Sequence, residues 1–192
     1  SQCERADDED GQGRFDPVRP LDPLGVDRAG VVDHDVDPAT FQVMPRPVDE
    51  HGHELGAKVA RMICDVVKPD GVPYEGDPRY VLRAALDRMR KLGFDAFNVG
   101  PELEYFLFED DKDTKTLDEG GYFAMTAQDA ATEVRNDTIH ALESVGIPIE
   151  YHHHEVGPSQ HEIDMRYADA LAMADYTMTY RLIVKEVAAW HG

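Results

Sequence analysis

Cysteine is nearly absent from this 192-residue chain: only Cys3 and Cys64 are present, far apart and without metal-type spacing. That leaves no disulfide framework and no thiolate cage for zinc. It fits a reducing compartment, with Cys64 read as a small buried hydrophobe. Basic residues are scarce as well: 19 Lys and Arg stand against 39 Asp and Glu, a formal net charge of −20. A chain that binds phosphate backbones needs surplus cations, so nucleic acid is excluded as a partner. The acidic excess fits either a solvated surface or adaptation to a salty cytoplasm. No apolar run approaches the roughly eighteen residues that suggest a membrane helix, and no signal-peptide core is visible. A soluble, cytoplasmic protein without a membrane partner is the expectation. A Walker-type loop, a dinucleotide fingerprint and a nucleophile elbow are also missing. Ser159 has His161 nearby but sits in a turn, and neither cysteine has a neighbouring His and acid, so covalent catalysis is not expected.

What is present divides the chain in two. Residues 1–38 carry repeated Asp-Pro steps (Asp16-Pro17, Asp22-Pro23, Asp37-Pro38) and sustain no helical or strand period. They read as an irregular or disordered acidic segment. Within it, Asp33, His34 and Asp35 form either a metal-binding turn or a solvated acidic loop. Residues 39–192 carry the folding signals. Thr40–Met44 and Lys58–Val67 read as strands, the second ending at the Pro69-Asp70-Gly71 turn. Asp77 as N-cap and Pro78 in the first turn open a helix with Val81, Leu82, Ala85, Met89 and Leu92 as its apolar face, stopped by Gly93. Phe94–Phe108 reads as one strand, and Ala127–Val145 as a helix stopped by Gly146. Ile147–Val156 and His161–Tyr167 form a hairpin, and Ala168–Trp190 is the last helix. Its core candidates are Leu171, Tyr176, Tyr180, Ile183, Val184 and Val187. The fold class is α+β, an antiparallel sheet with flanking helices.

The chemistry concentrates in two places. Glu102 and Glu104 share one face of their strand, about 7 Å apart, with Leu103, Tyr105 and Leu107 on the other. Two carboxylates so placed in an apolar run would struggle to stay ionised. Either a hard divalent cation such as Mg²⁺ or Mn²⁺ resolves the conflict, or one pairs with an Arg while the other reaches solvent. The second place is the hairpin around Gly157-Pro158. Glu155 and Glu162 flank the turn, so that facing strands can bring both to one site, and Glu150 and Asp164 lie nearby. Oxygen-rich donors with few histidines suit Mg²⁺ or Mn²⁺ better than zinc. His153 shares its face with Glu155 and Tyr151, while His152 and His154 share the opposite one. Each of these rings is either a ligand or a packed or surface histidine.

Three motifs in order carry a family resemblance. Gly100-Pro101-Glu102-Leu103-Glu104-Tyr105-Phe106, Gly121-Tyr122-Phe123 and the run from His152 to Asp164, followed by a long helix ending Trp190-His191-Gly192, resemble the bacterial and archaeal glutamine synthetases. The resemblance runs from about Asp37 to Gly192 and corresponds to the early part of the family's catalytic domain. It implies ATP-dependent ligation of ammonia to glutamate through γ-glutamyl phosphate, with two divalent cations, Mg²⁺ or Mn²⁺, per site. By the same resemblance Glu104, Glu155 and Glu162 match the ligands of the first metal and Glu102 one ligand of the second. Glu150 matches a nucleotide-contacting position, Tyr167 an aromatic beside the adenine, and Tyr122 a residue near the substrate mouth.

The resemblance also implies that full-length relatives are homo-oligomers of stacked rings. The second metal's histidine, the glutamate-binding motif and the phosphate-clamping arginines would lie beyond Gly192, and residues 1–37 do not resemble the family's β-grasp domain. The expectation is therefore a truncated catalytic domain with no catalytic residue of its own to assign and negligible activity alone. A related glutamate–amine ligase, and a non-catalytic metal-binding or structural member of the same fold, remain as alternatives.

Overall fold

A computed structural model describes residues 41–47, 51, 53–56 and 59–192. The acidic segment 1–38, with Asp33, His34 and Asp35, lies outside the described residues, as does Cys3. Strand β1 (Phe41–Val43) pairs antiparallel with β2 (Ala60–Met62). After α1 (Pro78–Lys91) come two short strands, β3 (Asn98–Val99) and β4 (Glu104–Phe106). Helix α2 (Thr132–Ser144) leads into the hairpin of β5 (Ile149–His154) and β6 (Gln160–Met165). Strand β7 (Ala168–Asp169) then runs directly into α3 (Ala170–His191).

The sheet that matters for function has the order β4-β6-β5, all antiparallel. Strand alternation gives it two unlike faces. On one, Ile163 and Met165 of β6 meet Leu142 of α2 and Met173, Tyr180, Ile183, Val184 and Val187 of α3 to form the core. Leu103 and Tyr105 pack partly against the same cluster. The Tyr180 hydroxyl donates to the Leu103 carbonyl at 3.1 Å, so this buried phenol keeps a partner. Of the residues expected in the α3 core, Tyr180, Ile183, Val184 and Val187 are buried, and Leu171 and Tyr176 half-buried.

Local signals explain the ends of the elements. Asp77 accepts from the Arg79 and Val66 backbone N–H groups, both at 3.1 Å, so one carboxylate caps α1 and ties it to the preceding loop. Gly93 and Gly146 follow the two helices with φ +91° and +83°, the left-handed conformation that only glycine adopts cheaply.

Five expectations are corrected. The 94–108 stretch is not one strand: Pro101 has no N–H for a ladder, and the chain leaves β3's partner β7 before β4 joins β6. Glu102 therefore precedes β4, and Glu102 and Glu104 are both exposed. The second strand shortens to Ala60–Met62, because the Val66 N–H is claimed by the Asp77 cap. Helix α2 starts at Thr132 after a short 3-10 turn at Thr126–Gln128, since the Asp129 side chain binds the Ala131 N–H and Arg135.

The other two corrections concern exposure. Helix α1 buries Leu86, with Leu82 and Met89 half-buried, while Val81, Ala85 and Leu92 are exposed. Arg79 reaches Asp65 at 2.8 Å and the buried Asp175 of α3, and this anchor turns the helix about a quarter revolution from the face its apolar residues suggest. Cys64, expected inside, is exposed. Among the described residues no helix is long and apolar enough to cross a membrane.

Candidate metal centre

The core-averted face of the β4-β6-β5 sheet gathers acids. Register places Glu104 opposite Glu162 and Glu162 opposite His153, so one row crosses all three strands. Glu155 follows β5, and its backbone N–H donates to the Gln160 carbonyl at 2.7 Å, which closes the hairpin. His153 stands between two carboxylates: Nδ1 lies 3.3 Å from Glu155 Oε1, and Nε2 lies 3.4 Å from Glu162 Oε2. One donor atom from each of the three lies within 4.8 Å of the others, and all three residues are buried.

Electrostatics on this face are one-sided. Burial, then the charge of Asp164, then contact with Glu155 push the Glu162 carboxyl up to about 8. Asp164 is likewise raised, by burial first. Asp164 Oδ2 is buried without a hydrogen-bond partner. Among the described residues no Lys or Arg forms an ion pair with Glu155, Glu162 or Asp164, leaving His153 as the one basic ring in the row. Clustered carboxylate oxygens that repel one another, with one imidazole, are a donor set that fits a hard divalent cation.

The segment 120–125 rests on this cluster. The Phe123 N–H donates to the His154 carbonyl at 3.0 Å. Ring centroids of Phe123, Tyr122 and Tyr151 lie 4.9, 5.4 and 6.0 Å from that of His153. Phe123 adopts φ +57°, a strained conformation for a bulky residue, so the position is held by its surroundings.

The opposite face carries a second polar cluster, of different chemistry. Arg135 of α2, almost fully buried, forms a fork with Asp129. It also donates to His161 Nδ1 at 2.8 Å and to His152 Nδ1 at 3.1 Å. Burial would raise Asp129, but the Arg135 hydrogen bonds and charge hold it below the usual carboxylate range. Burial, and secondarily Arg135, lower His161 to about 4 and move His152 in the same direction, and each ring accepts an Arg135 N–H on Nδ1.

Beside this fork, Asp118 accepts from His154 Nε2 at 2.9 Å and from the backbone N–H groups of Gly120, Ala130 and Ser159. Burial raises the Asp118 carboxyl, and these donors together outweigh it and leave it lowered. Ser159, fully buried, bonds Asp118 through its hydroxyl, which agrees with its reading as a turn residue. Asp118, His154 and His161 also have donor atoms within 4.8 Å of one another. Because Arg135 donates to His161 Nδ1, the neutral ring carries its proton on Nε2, and a protonated nitrogen is no ligand. His161 Nε2 is itself buried without a hydrogen-bond partner, so the network leaves one donor open, but its tautomer offers a cation no lone pair there.

The residues singled out from sequence are thus distributed unevenly. Glu155 and Glu162 meet at one point with His153. Glu104, on β4, lies opposite Glu162 of β6 and accepts from Gln160 Nε2 at 2.5 Å. Glu102, exposed, belongs to neither three-donor group. Glu150 is exposed at an irregularity in the β5 register between Ile149 and Tyr151. Tyr167 is 71 % exposed and lies over Gly100, while Tyr122 is 58 % exposed at the edge of the His153 cluster. Sequence reasoning missed Asp118, Asp129 and Arg135, whose partners are remote in the chain. It also gave no role to Asp164, although its even spacing from Glu162 on a strand was a usable signal.

Comparison with known proteins identifies the architecture. A family model described as "Glutamine synthetase, catalytic domain" matches residues 75–192. The glutamine synthetase of Thermus thermophilus is 48 % identical over 157 residues, 80 % of this chain and 34 % of the relative. That of Clostridium saccharobutylicum is 51 % identical over 139 residues, 70 % of this chain and 31 % of the relative. A cryo-EM structure of Plasmodium falciparum glutamine synthetase superposes with TM-score 0.64 at 22 % identity, covering 79 % of this chain and 36 % of that one. A crystal structure titled as a novel glutamine synthase homolog superposes with TM-score 0.65 at 25 % identity, over 88 % and 39 %. The chain spans about a third of the length of the curated relatives it matches. With its motifs, its antiparallel sheet and this match over most of its length, the chain belongs to the glutamine synthetase catalytic-domain family.

Proposed function

We propose that this chain supplies the cation-holding sheet of a glutamate–ammonia ligase, a glutamine synthetase acting on glutamate, ammonia and ATP. The observation that carries the reading is the buried group of His153, Glu155 and Glu162 with donor atoms within 4.8 Å, on a face where, among the described residues, only His153 is a basic partner. Glu155 and Glu162 would hold the first divalent cation, Mg²⁺ or Mn²⁺, with His153 between them and Glu104 at the rim of the same row. Glu102, before β4, would serve a second cation. When bound, such cations neutralise phosphate and carboxylate charge as a phosphoryl group moves to the glutamate side chain.

The protein's own part is to orient and exclude. The hairpin fixes Glu155 against Gln160 through a backbone bond, and Tyr122 and Phe123 cover His153 from the solvent side. Glu150 and Tyr167, both exposed, would face the nucleotide, and Tyr122 would border the mouth through which glutamate or ammonia enters. Residues 39–192 would form the catalytic-domain part of a cytoplasmic enzyme that assembles as a homo-oligomer of stacked rings. The test is Mn²⁺ titration of the full chain, followed by electron paramagnetic resonance, against a Glu155→Gln/Glu162→Gln variant. Stoichiometric binding lost in the variant supports the reading. Equal weak binding by both proteins refutes it.

A further inference from the structure

Asp164 is a carboxylate on the acidic face whose placement works against folding and which the proposed ligand set does not use. It sits two residues after Glu162 on β6, so the two side chains share a face, while Ile163 and Met165 point into the core. It is 4 % exposed. Its side chain contacts that of Glu162, and its remaining charged surroundings are Glu102, Glu150 and the His153 ring. Oδ2 has no hydrogen-bond partner. Its cross-strand partner is Tyr151, half exposed, so little core packing is gained there. A buried oxygen without a donor costs about 1–3 kcal/mol, more when charged, and buried polar atoms in native proteins are seldom left so. Rule-breaking of this kind concentrates where a protein binds something.

We propose that Asp164 is an outer positioning residue of the cation site: its buried Oδ2 accepts from a water carried by the cation. The inference rests on the cation reading of the His153–Glu155–Glu162 group and adds to it an outer carboxylate. Groups that orient metal ligands are typically worth about 10- to 100-fold in metal affinity. Asp164 shares the face of Glu162 and has a free buried oxygen, so it can do this through water without being a ligand itself.

The experiment uses the full chain and Mn²⁺ alone. Affinity is read by paramagnetic resonance for the wild type, Asp164→Asn, Glu162→Gln and the double variant, alongside metal-free melting temperatures. The expectation is a loss of about tenfold or more in Asp164→Asn, and a smaller loss when it is added to Glu162→Gln, because both act on one cation. Metal-free Asp164→Asn should melt at or above the wild-type temperature, because a buried carboxylate among acids has been removed. Unchanged affinity in Asp164→Asn overturns the proposal. So does an affinity loss accompanied by a fall in metal-free melting temperature, which marks a structural role. Weak wild-type binding that Glu155→Gln/Glu162→Gln leaves unaltered removes the cation reading and this inference together.

Discussion

Glu162 makes the metal-free protein's stability a function of pH, and the sign can be worked out. Its carboxyl is raised from 4.5 to about 8 by burial and by Asp164 and Glu155. Between those values the folded chain holds a proton that the unfolded chain has released, so ν_U − ν_N is negative and stability falls as pH rises. The contribution is fully present below about pH 4.5 and lost as pH passes 8. From pH 5 to 8 the loss is on the order of a few kcal/mol, at a slope of roughly one kcal/mol per pH unit. The assay is urea denaturation of chelator-treated protein at intervals across this range, comparing the wild type with Glu162→Gln. The wild type should lose stability steadily, and the variant should follow a flatter line. Saturating Mn²⁺ should invert the wild-type trend, because the cation competes with the proton and binds up to about tenfold more tightly per pH unit. Parallel wild-type and variant lines in the absence of metal would refute the placement of Glu162 among buried acids.

Other perturbations test the framework. Arg135→Met strands Asp129 in the interior and should cost about 3–5 kcal/mol by urea denaturation, with much of it recovered in Arg135→Met/Asp129→Leu. Gly120→Ala would bring a methyl 2.4 Å from the Gln128 carbonyl oxygen and 2.7 Å from His154 Nε2. The segment bearing Tyr122 must then shift, so a loss of about 1–3 kcal/mol is expected in thermal melts. Ile163→Ala, at a fully buried position between the helices and the sheet, should cost about 2–5 kcal/mol in the same assay. Asp77→Ala removes the α1 cap and the bond to Val66 together, an expected loss of about 1–2 kcal/mol.

Legibility from sequence followed the range of the interaction involved. The hairpin, the α3 stripe and the α1 cap were readable because each depends on residues close together in the chain. Strand parity put His153 with Glu155 and sent His152 and His154 to the other face, and the structure agrees. The 94–108 segment failed because apolar content outweighed a proline that breaks the ladder. The α1 face failed because the Arg79–Asp175 pair, 96 positions apart, sets the helix's rotation. Nothing local marks Asp129 and Arg135 as a buried ion pair that binds two histidines, since the meeting of Arg135 with His152 and His161 is a product of tertiary packing.

The two faces of the β4-β6-β5 sheet handle buried charge in opposite ways. Toward the helices, each acid has its donors: Asp129 has Arg135, and Asp118 has His154 and three backbone N–H groups. Its acids are fully paired, although His161 Nε2 lacks a partner, and burial with the Arg135 charge lowers both His152 and His161. On the far face Glu155, Glu162 and Asp164 share one imidazole, and the pair Glu162–Asp164 can lower its repulsion only by keeping protons above the normal carboxylate range. Packing alone does not require this, because residues 161, 163 and 165 supply the core contacts from the same strand. On the proposed reading, the far face is the place where folding stability is given up for cation affinity. A substitution that removes a carboxylate there should stabilise the metal-free chain and weaken its hold on a cation. On the helix side, removing Asp129 or Asp118 should only destabilise. Opposite signs from chemically similar mutations on the two faces of one strand pair distinguish a binding surface from a structural network.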